Sequence, residues 1–232
     1  GVTPVYSNVF IKHEGDSHTI DCLLGVRVGG VEVTPFNKDN VLGDGKVSYN
    51  AETHTLTLDN ATIGNDGSDP EPMETSGVDY SGTDDFTINL IGTNTINSGN
   101  CSAIHGGQTP KLIFTKAGEQ PSSLLMETTE YSVIDGFSEV EHEGLFKIDE
   151  RILGVDNTPD TYTVLVSSTL LSGGSGTPGD PLLIKTKEDL TTFAYYICND
   201  KISRDVSVKL YNDLNCAGLT HFAPIGYNNL AF

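Results

Sequence analysis

Gly77-Val78-Asp79-Tyr80, Phe86-Thr87-Ile88-Asn89-Leu90 and Asn94-Thr95-Ile96 recur further along the chain as Ala103-Ile104-His105-Gly106, Leu112-Ile113-Phe114 and Ser123-Leu124-Leu125-Met126. The offsets are 26 residues from Val78 to Ile104, 26 from Phe86 to Leu112, and 28 from Ile96 to Leu124. A less regular earlier copy runs Val47-Ser48-Tyr49, Leu56-Thr57-Leu58 and Ala61-Thr62-Ile63. Each unit holds three short segments in which apolar and polar residues alternate, separated by Gly, Asn, Asp, Ser or Pro turns. One such unit cannot bury its own apolar side, whereas stacked copies align their Val, Ile, Leu and Phe into a continuous core. Three strands per coil of about 26 residues predict an all-β fold, a right-handed parallel β-helix. An antiparallel β-sandwich also accommodates short strands and turns, but gives no reason for the repeat.

The same pattern extends outward. Val26-Arg27-Val28 and Val31-Glu32-Val33 precede the repeats; Tyr131-Ser132-Val133-Ile134, Leu145-Phe146-Lys147-Ile148 and Tyr162-Thr163-Val164-Leu165-Val166 follow them. The reading therefore places the β-helix in residues 1–170 and a Gly/Ser/Pro-rich linker in 171–181. Residues 182–232 then form a small strand-helix-strand segment, either a cap or the start of a second β-helix domain. There, Thr186 and Asp189 make a capping box ahead of Leu190, Phe193, Ala194 and Ile197, which share one helical face.

Composition limits function. Of 232 residues, 13 are Lys or Arg and 32 are Asp or Glu, a formal charge of −19. Phosphate recognition depends on Lys and Arg displacing counterions, so this balance argues against nucleic acid and anionic membranes as partners. Trp is absent, while Gly (25), Thr (25) and Asn (16) are abundant, as strands and tight turns require. No apolar run reaches the ~20 residues of a membrane-spanning helix, so no membrane insertion is expected. Cys22, Cys101, Cys198 and Cys216 show no C-x-x-C spacing. They read as small core residues, with a Cys198–Cys216 bridge as the alternative in an oxidising compartment.

Two segments resemble known families. Val41-Leu42-Gly43-Asp44-Gly45-Lys46-Val47-Ser48-Tyr49-Asn50, then Thr55-Leu56-Thr57-Leu58-Asp59-Asn60-Ala61-Thr62-Ile63, resembles a pattern in surface and secreted β-helix proteins of gut Bacteroides-type bacteria. In those proteins, rungs of the form G-x-N-x-I follow, here Gly92-Thr93-Asn94-Thr95-Ile96. The stretch from Gly176 through Asp180-Pro181-Leu182-Leu183-Ile184 to Pro224-Ile225-Gly226 resembles the lead-in to GLUG-type repeats of bacterial adhesins. The glycine-rich coil that usually follows is missing. The resemblance implies an extracellular or outer-cell-surface location, with a host or dietary glycan or a host surface protein as partner. It brings no catalytic residues.

Candidate sites are few. Polygalacturonase-like β-helix hydrolases use paired Asp with a His on a neighbouring coil, and Asp84-Asp85 with His105 comes nearest to that set. The family's Asn-Thr-Asp and Arg-Ile-Lys elements have no counterpart here. Asn65-Asp66-Gly67-Ser68-Asp69-Pro70-Glu71 gathers oxygen donors, making Asp66, Asp69 and Glu71 the calcium candidates, although the same residues also form metal-free turns. No cofactor is otherwise required. Tyr80 and Tyr131, on strands beside polar turns, are the candidate sugar-stacking platforms. Glu139, Glu141 and Glu143 read as a solvated strand face. The expected function is a non-catalytic adhesion or carbohydrate-binding module, with a structural spacer and a polysaccharide-degrading enzyme as alternatives.

Overall fold

A computed structural model of the chain describes residues 9–14, 17–64, 76–129, 132–152, 160–199, 201–203 and 205–217. The first described element is an antiparallel hairpin of β1 (Val9–Glu14) and β2 (Ser17–Cys22). A hairpin of β3 (Val26–Val28) and β4 (Val31–Glu32) follows, then one of β5 (Val47–Asn50) and β6 (Thr55–Asp59). After β7 (Thr62–Gly64) come two full coils: β8 (Val78–Tyr80), β9 (Phe86–Ile91) and β10 (Thr93–Asn97), then β11 (Ile104–His105), β12 (Lys111–Lys116) and β13 (Ser123–Thr128). Next are β14 (Ile134–Asp135), β15 (Glu139–His142), β16 (Phe146–Ile152) and β17 (Thr161–Ser167).

Strands β3 to β17 stack into three five-stranded sheets, ordered β4-β3-β8-β11-β14, β5-β6-β9-β12-β15 and β7-β10-β13-β17-β16, while β1 and β2 form a sheet of their own. The result is a parallel β-solenoid of about four turns. The apolar rows run across it in register: Val78–Ile104–Ile134, Phe86–Leu112–Val140 and Ile63–Ile96–Met126. Val78, Ile104, Phe86, Leu112, Ile96 and Met126 are fully buried, so the alternating segments pack one face inward as the repeat requires.

The third row corrects the expected alignment. Ile96 pairs with Met126, and Leu124 pairs with Asn94, a slip of two residues from the Ile96–Leu124 match. Because side chains alternate with period two, the slip keeps every inward residue inward. It also places Asn94, fully buried, where the next coil has Leu124. Asn94 is satisfied there: Oδ1 accepts from the Ala61 amide (2.8 Å), while Nδ2 donates to the carbonyls of Ile91 and Ser123 (both 3.1 Å). One amide thus ties three coils at a corner, at little desolvation cost because its partners are in place. Beside it, Gly92 turns the chain at φ +64° with the Asn60 side chain so close that a Cβ would collide with it.

The ends also depart from the expected continuation of the coils. β3 runs antiparallel to β8, and β5 antiparallel to β6, so the Val47–Tyr49 segment is a hairpin arm and not a coil strand. β17 runs antiparallel to β13, and β16 antiparallel to β17. A parallel stack leaves unpaired edge groups at both ends, and a hairpin laid on the last coil covers them by the shortest connection.

After the solenoid, β18 (Leu182–Ile184) and β19 (Val208–Leu210) pair in parallel, joined through helix α1 (Lys187–Cys198). The capping box is present: the Thr186 hydroxyl accepts from the Asp189 amide (3.1 Å), and Asp189 accepts from the Thr186 amide (3.0 Å). Phe193 and Ile197 build a second core with Ile184 and Ile202, separate from the solenoid's. Segment 171–181 is wired into this unit: Leu171 packs on its core, and the Ser172 amide and hydroxyl donate to Asp189. Burial works against the Asp189 charge, but these bonds and those from the Lys185 and Thr186 amides hold its carboxyl below the usual range. Cys198 and Cys216 are thiols and not a bridge; Cys198 is partly buried and Cys216 exposed. No helix of the described residues is long and apolar enough to cross a membrane.

Candidate functional site

Alternation puts polar side chains on the outside of each sheet, and stacking brings them into rows. On the first sheet the row is Glu32, Arg27, Asp79, His105 and Asp135, one residue per strand in register. The Arg27 guanidinium grips Asp79 Oδ2 through Nε (3.0 Å) and Nη2 (2.7 Å), and His105 Nδ1 lies 3.7 Å from Asp79 Oδ1. The Asp79 carboxylate raises the Arg27 pKa further above its ordinary value. A groove of about 210 Å³ beside this row is lined by Gly25, Arg27, Glu32, Asp79 and Ser81 among others.

On the second sheet, Ser48, Thr57, Asn89 and Thr115 form a neutral row, with the Thr115 hydroxyl donating to Asn89 Oδ1 (3.3 Å). At its far edge Lys111 bridges Glu139 (2.8 Å) and Glu141 (2.7 Å), which raise its pKa. The Glu139 and Glu141 side chains thus make a charged edge strand, which discourages pairing with another chain.

The candidates named from the sequence fare differently. Asp84 and Asp85 turn to separate partners: Asp84 Oδ2 lies 3.5 Å from His54 Nε2, and Asp85 Oδ1 accepts from the Lys111 amide (3.0 Å). His105 belongs to the first sheet's row, so the acid-base set is not assembled around one point. Tyr80 is corrected as a stacking platform. It is 2% exposed, its ring is stacked on Phe86 with centroids 4.3 Å apart, and its hydroxyl donates to the Asp84 carbonyl (3.0 Å). Burial pushes its pKa up to about 12, and does the same to Tyr49, whose hydroxyl meets His54 Nδ1 at 3.3 Å. A strand residue beside a polar turn points inward as often as outward, and Tyr80 shares its inward parity with Val78. Tyr131 and the calcium candidates Asp66, Asp69 and Glu71 lie outside the described residues. Among the described residues, no group of three or more His, Cys, Asp or Glu is placed to hold a metal.

One feature went unread in the sequence. The third sheet carries one strand more than its neighbours at the C-terminal end, because β17 occupies the level of β14 and β15 and β16 overhangs it. Lys147 pairs with Val166, and Asp149 with Val164, so both continue the core-facing rows Leu124–Val166 and Met126–Val164. Among the described residues no fifth coil lies opposite, and a half-open cavity of about 300 Å³ remains. Val133, Ile134, Val140 and Val164 line it on the core side, with Ser132, Lys147, Asp149, Tyr162 and Thr163 completing the wall. Lys147 Nζ lies 2.7 Å from both Asp149 oxygens.

No protein-family model, no curated protein and no solved structure matches this chain. The functional reading therefore rests on geometry, residue chemistry and the sequence patterns quoted above.

Proposed function

We propose that the protein is a non-catalytic extracellular module of a bacterial cell surface that mediates adhesion by binding carbohydrate. The observation that carries this reading is the pair of in-register outer rows, Ser48–Thr57–Asn89–Thr115 and Glu32–Arg27–Asp79–His105–Asp135. Stacking repeats these groups about every 4.8 Å on a rigid backbone, so donors and acceptors are held in place before a ligand arrives. Pre-organisation of that kind lowers the ordering cost that weakens binding by flexible surfaces. Hydroxyls, an amide and paired charges are the groups that hydrogen-bond sugar hydroxyls, and a glycan offers them at a repeating interval. The charge of −19 favours neutral host or dietary glycans over polyanions. The surface location rests on the resemblance to Bacteroides-type proteins and GLUG-type adhesins. No cofactor is needed.

The test is a glycan array probed with the purified chain, followed by calorimetry on the best ligand. Binding is expected, and Asn89→Ala should weaken it severalfold. Failure to bind any glycan would leave the spacer reading, and release of reducing sugar from a polysaccharide would establish an enzyme.

A further inference from the structure

We propose that the cavity at the C-terminal end of the solenoid binds a single neutral pyranose unit, the terminal or branching sugar of a glycan. The proposal rests on the carbohydrate-binding reading above and gives that reading a specific site. Four observations carry it.

The first is size. At about 300 Å³ the cavity is at the small end of ligand sites. It suits one sugar ring, with the open side leaving room for the rest of a chain. The second is the division of its walls. Val133, Ile134, Val140 and Val164 present apolar surface, while Lys147, Asp149 and Ser132 supply donors and acceptors. A pyranose is divided in the same way, with a C–H face and a rim of hydroxyls.

The third is charge. Lys147 and Asp149 neutralise each other at 2.7 Å, leaving a donor and an acceptor side by side, which matches a vicinal diol. A uronate would instead meet the Asp149 carboxylate with Lys147, the one cation among the lining residues, already paired. The fourth is support. Asp149 follows Val164 at the end of a row that is otherwise apolar, Ile63–Ile96–Met126–Val164, and Lys147 follows Leu124 and Val166 in the row beside it. Lys201 Nζ donates to the Asp149 carbonyl, and Gly176 of the C-terminal unit lies near the Phe146 ring. The overhanging strand is thus held by contacts from the C-terminal unit, as a pre-organised site requires.

The experiment is a nitrogen-15 NMR titration of the full chain with the methyl glycosides of glucose, galactose, mannose and N-acetylglucosamine, and with galacturonic acid as the anionic comparator. The expected result is saturable shifts at Ile134, Val140, Lys147, Asp149 and Val164 with a neutral sugar and none with galacturonic acid. Asp149→Asn should weaken that binding about tenfold, the loss of one charge-assisted hydrogen bond. Val140→Trp, which fills the cavity, should abolish it. If Val140→Trp does not fold, Asp149→Asn, at an exposed carboxylate, carries the test. Shifts confined to Asn89, Thr115 and His105, with both variants binding like the parent, would overturn the cavity site and leave the adhesion reading standing. No shift with any sugar, together with an empty glycan array, would overturn both.

Discussion

The middle coils and the overhanging β16 are built on the same inward rows, yet one end of a row is closed and the other open. Phe86 and Leu112 are fully buried because a coil lies on each side of them. Val140, the next residue of that row, sits on the last coil and is only partly buried, with the cavity beyond it. On the third sheet, Leu124 and Val166 are fully buried, whereas Lys147, one strand further on, is a charged group at the cavity wall. The difference teaches that burial in a solenoid belongs to the level and not to the row. An inward position is a core position only if a neighbouring coil closes over it.

The sharpest way to break this comparison is to truncate two residues of one row. Leu112→Ala should cost about 3 to 4 kcal/mol, because a rigid surround cannot collapse into the gap. Val140→Ala should cost under about 1 kcal/mol, since the cavity already adjoins it. Urea unfolding of both variants measures the gap, and equal losses would show that the end is as tightly closed as the middle.

Asn94→Leu probes the polar exception within the closed region. Although Leu fits the neighbouring coil at this position, the Ala61 amide and the Ser123 carbonyl would lose their partner, at a cost of about 2 kcal/mol. A variant as stable as the parent would show that the corner rearranges to satisfy these groups.

The smallest effect is a change in slope at high pH. The Tyr80 phenol is ordinary at 10 and is pushed to about 12 in the fold. Its neutral form therefore contributes stability that is fully present below pH 10 and is lost as pH rises through 12. Stability measured between pH 10 and 12 should fall less steeply in Tyr80→Phe than in the parent. Identical slopes would show that the ring is not sealed in the closed coils.

Much of the fold was legible because the middle coils repeat. Val78 and Ile104, and Phe86 and Leu112, pair across the predicted 26-residue offset. The Thr186–Asp189 cap and the Phe193–Ile197 face of α1 were legible for a local reason, since both depend on residues within two helical turns. The third-row register was not, because matching apolar with apolar passes over Asn94, whose burial depends on partners 29 and 33 residues away. The antiparallel ends were not legible either, because alternation fixes which face is buried and says nothing of strand direction. Tyr80 illustrates the same limit for the site: its neighbours in sequence are polar, and only the stack against Phe86 reveals a core residue.

From the sequence alone came the solenoid, its repeat length, its acidic coat and the inward rows, since all of these follow from side-chain alternation and stacking. Tertiary structure decided where the stack ends and which side chains meet there. Lys147 and Asp149 lie next to each other on one side of an ordinary-looking strand. They become the wall of a cavity only because β17 runs antiparallel and places β16 one level beyond the last coil, where no coil of the described residues opposes it.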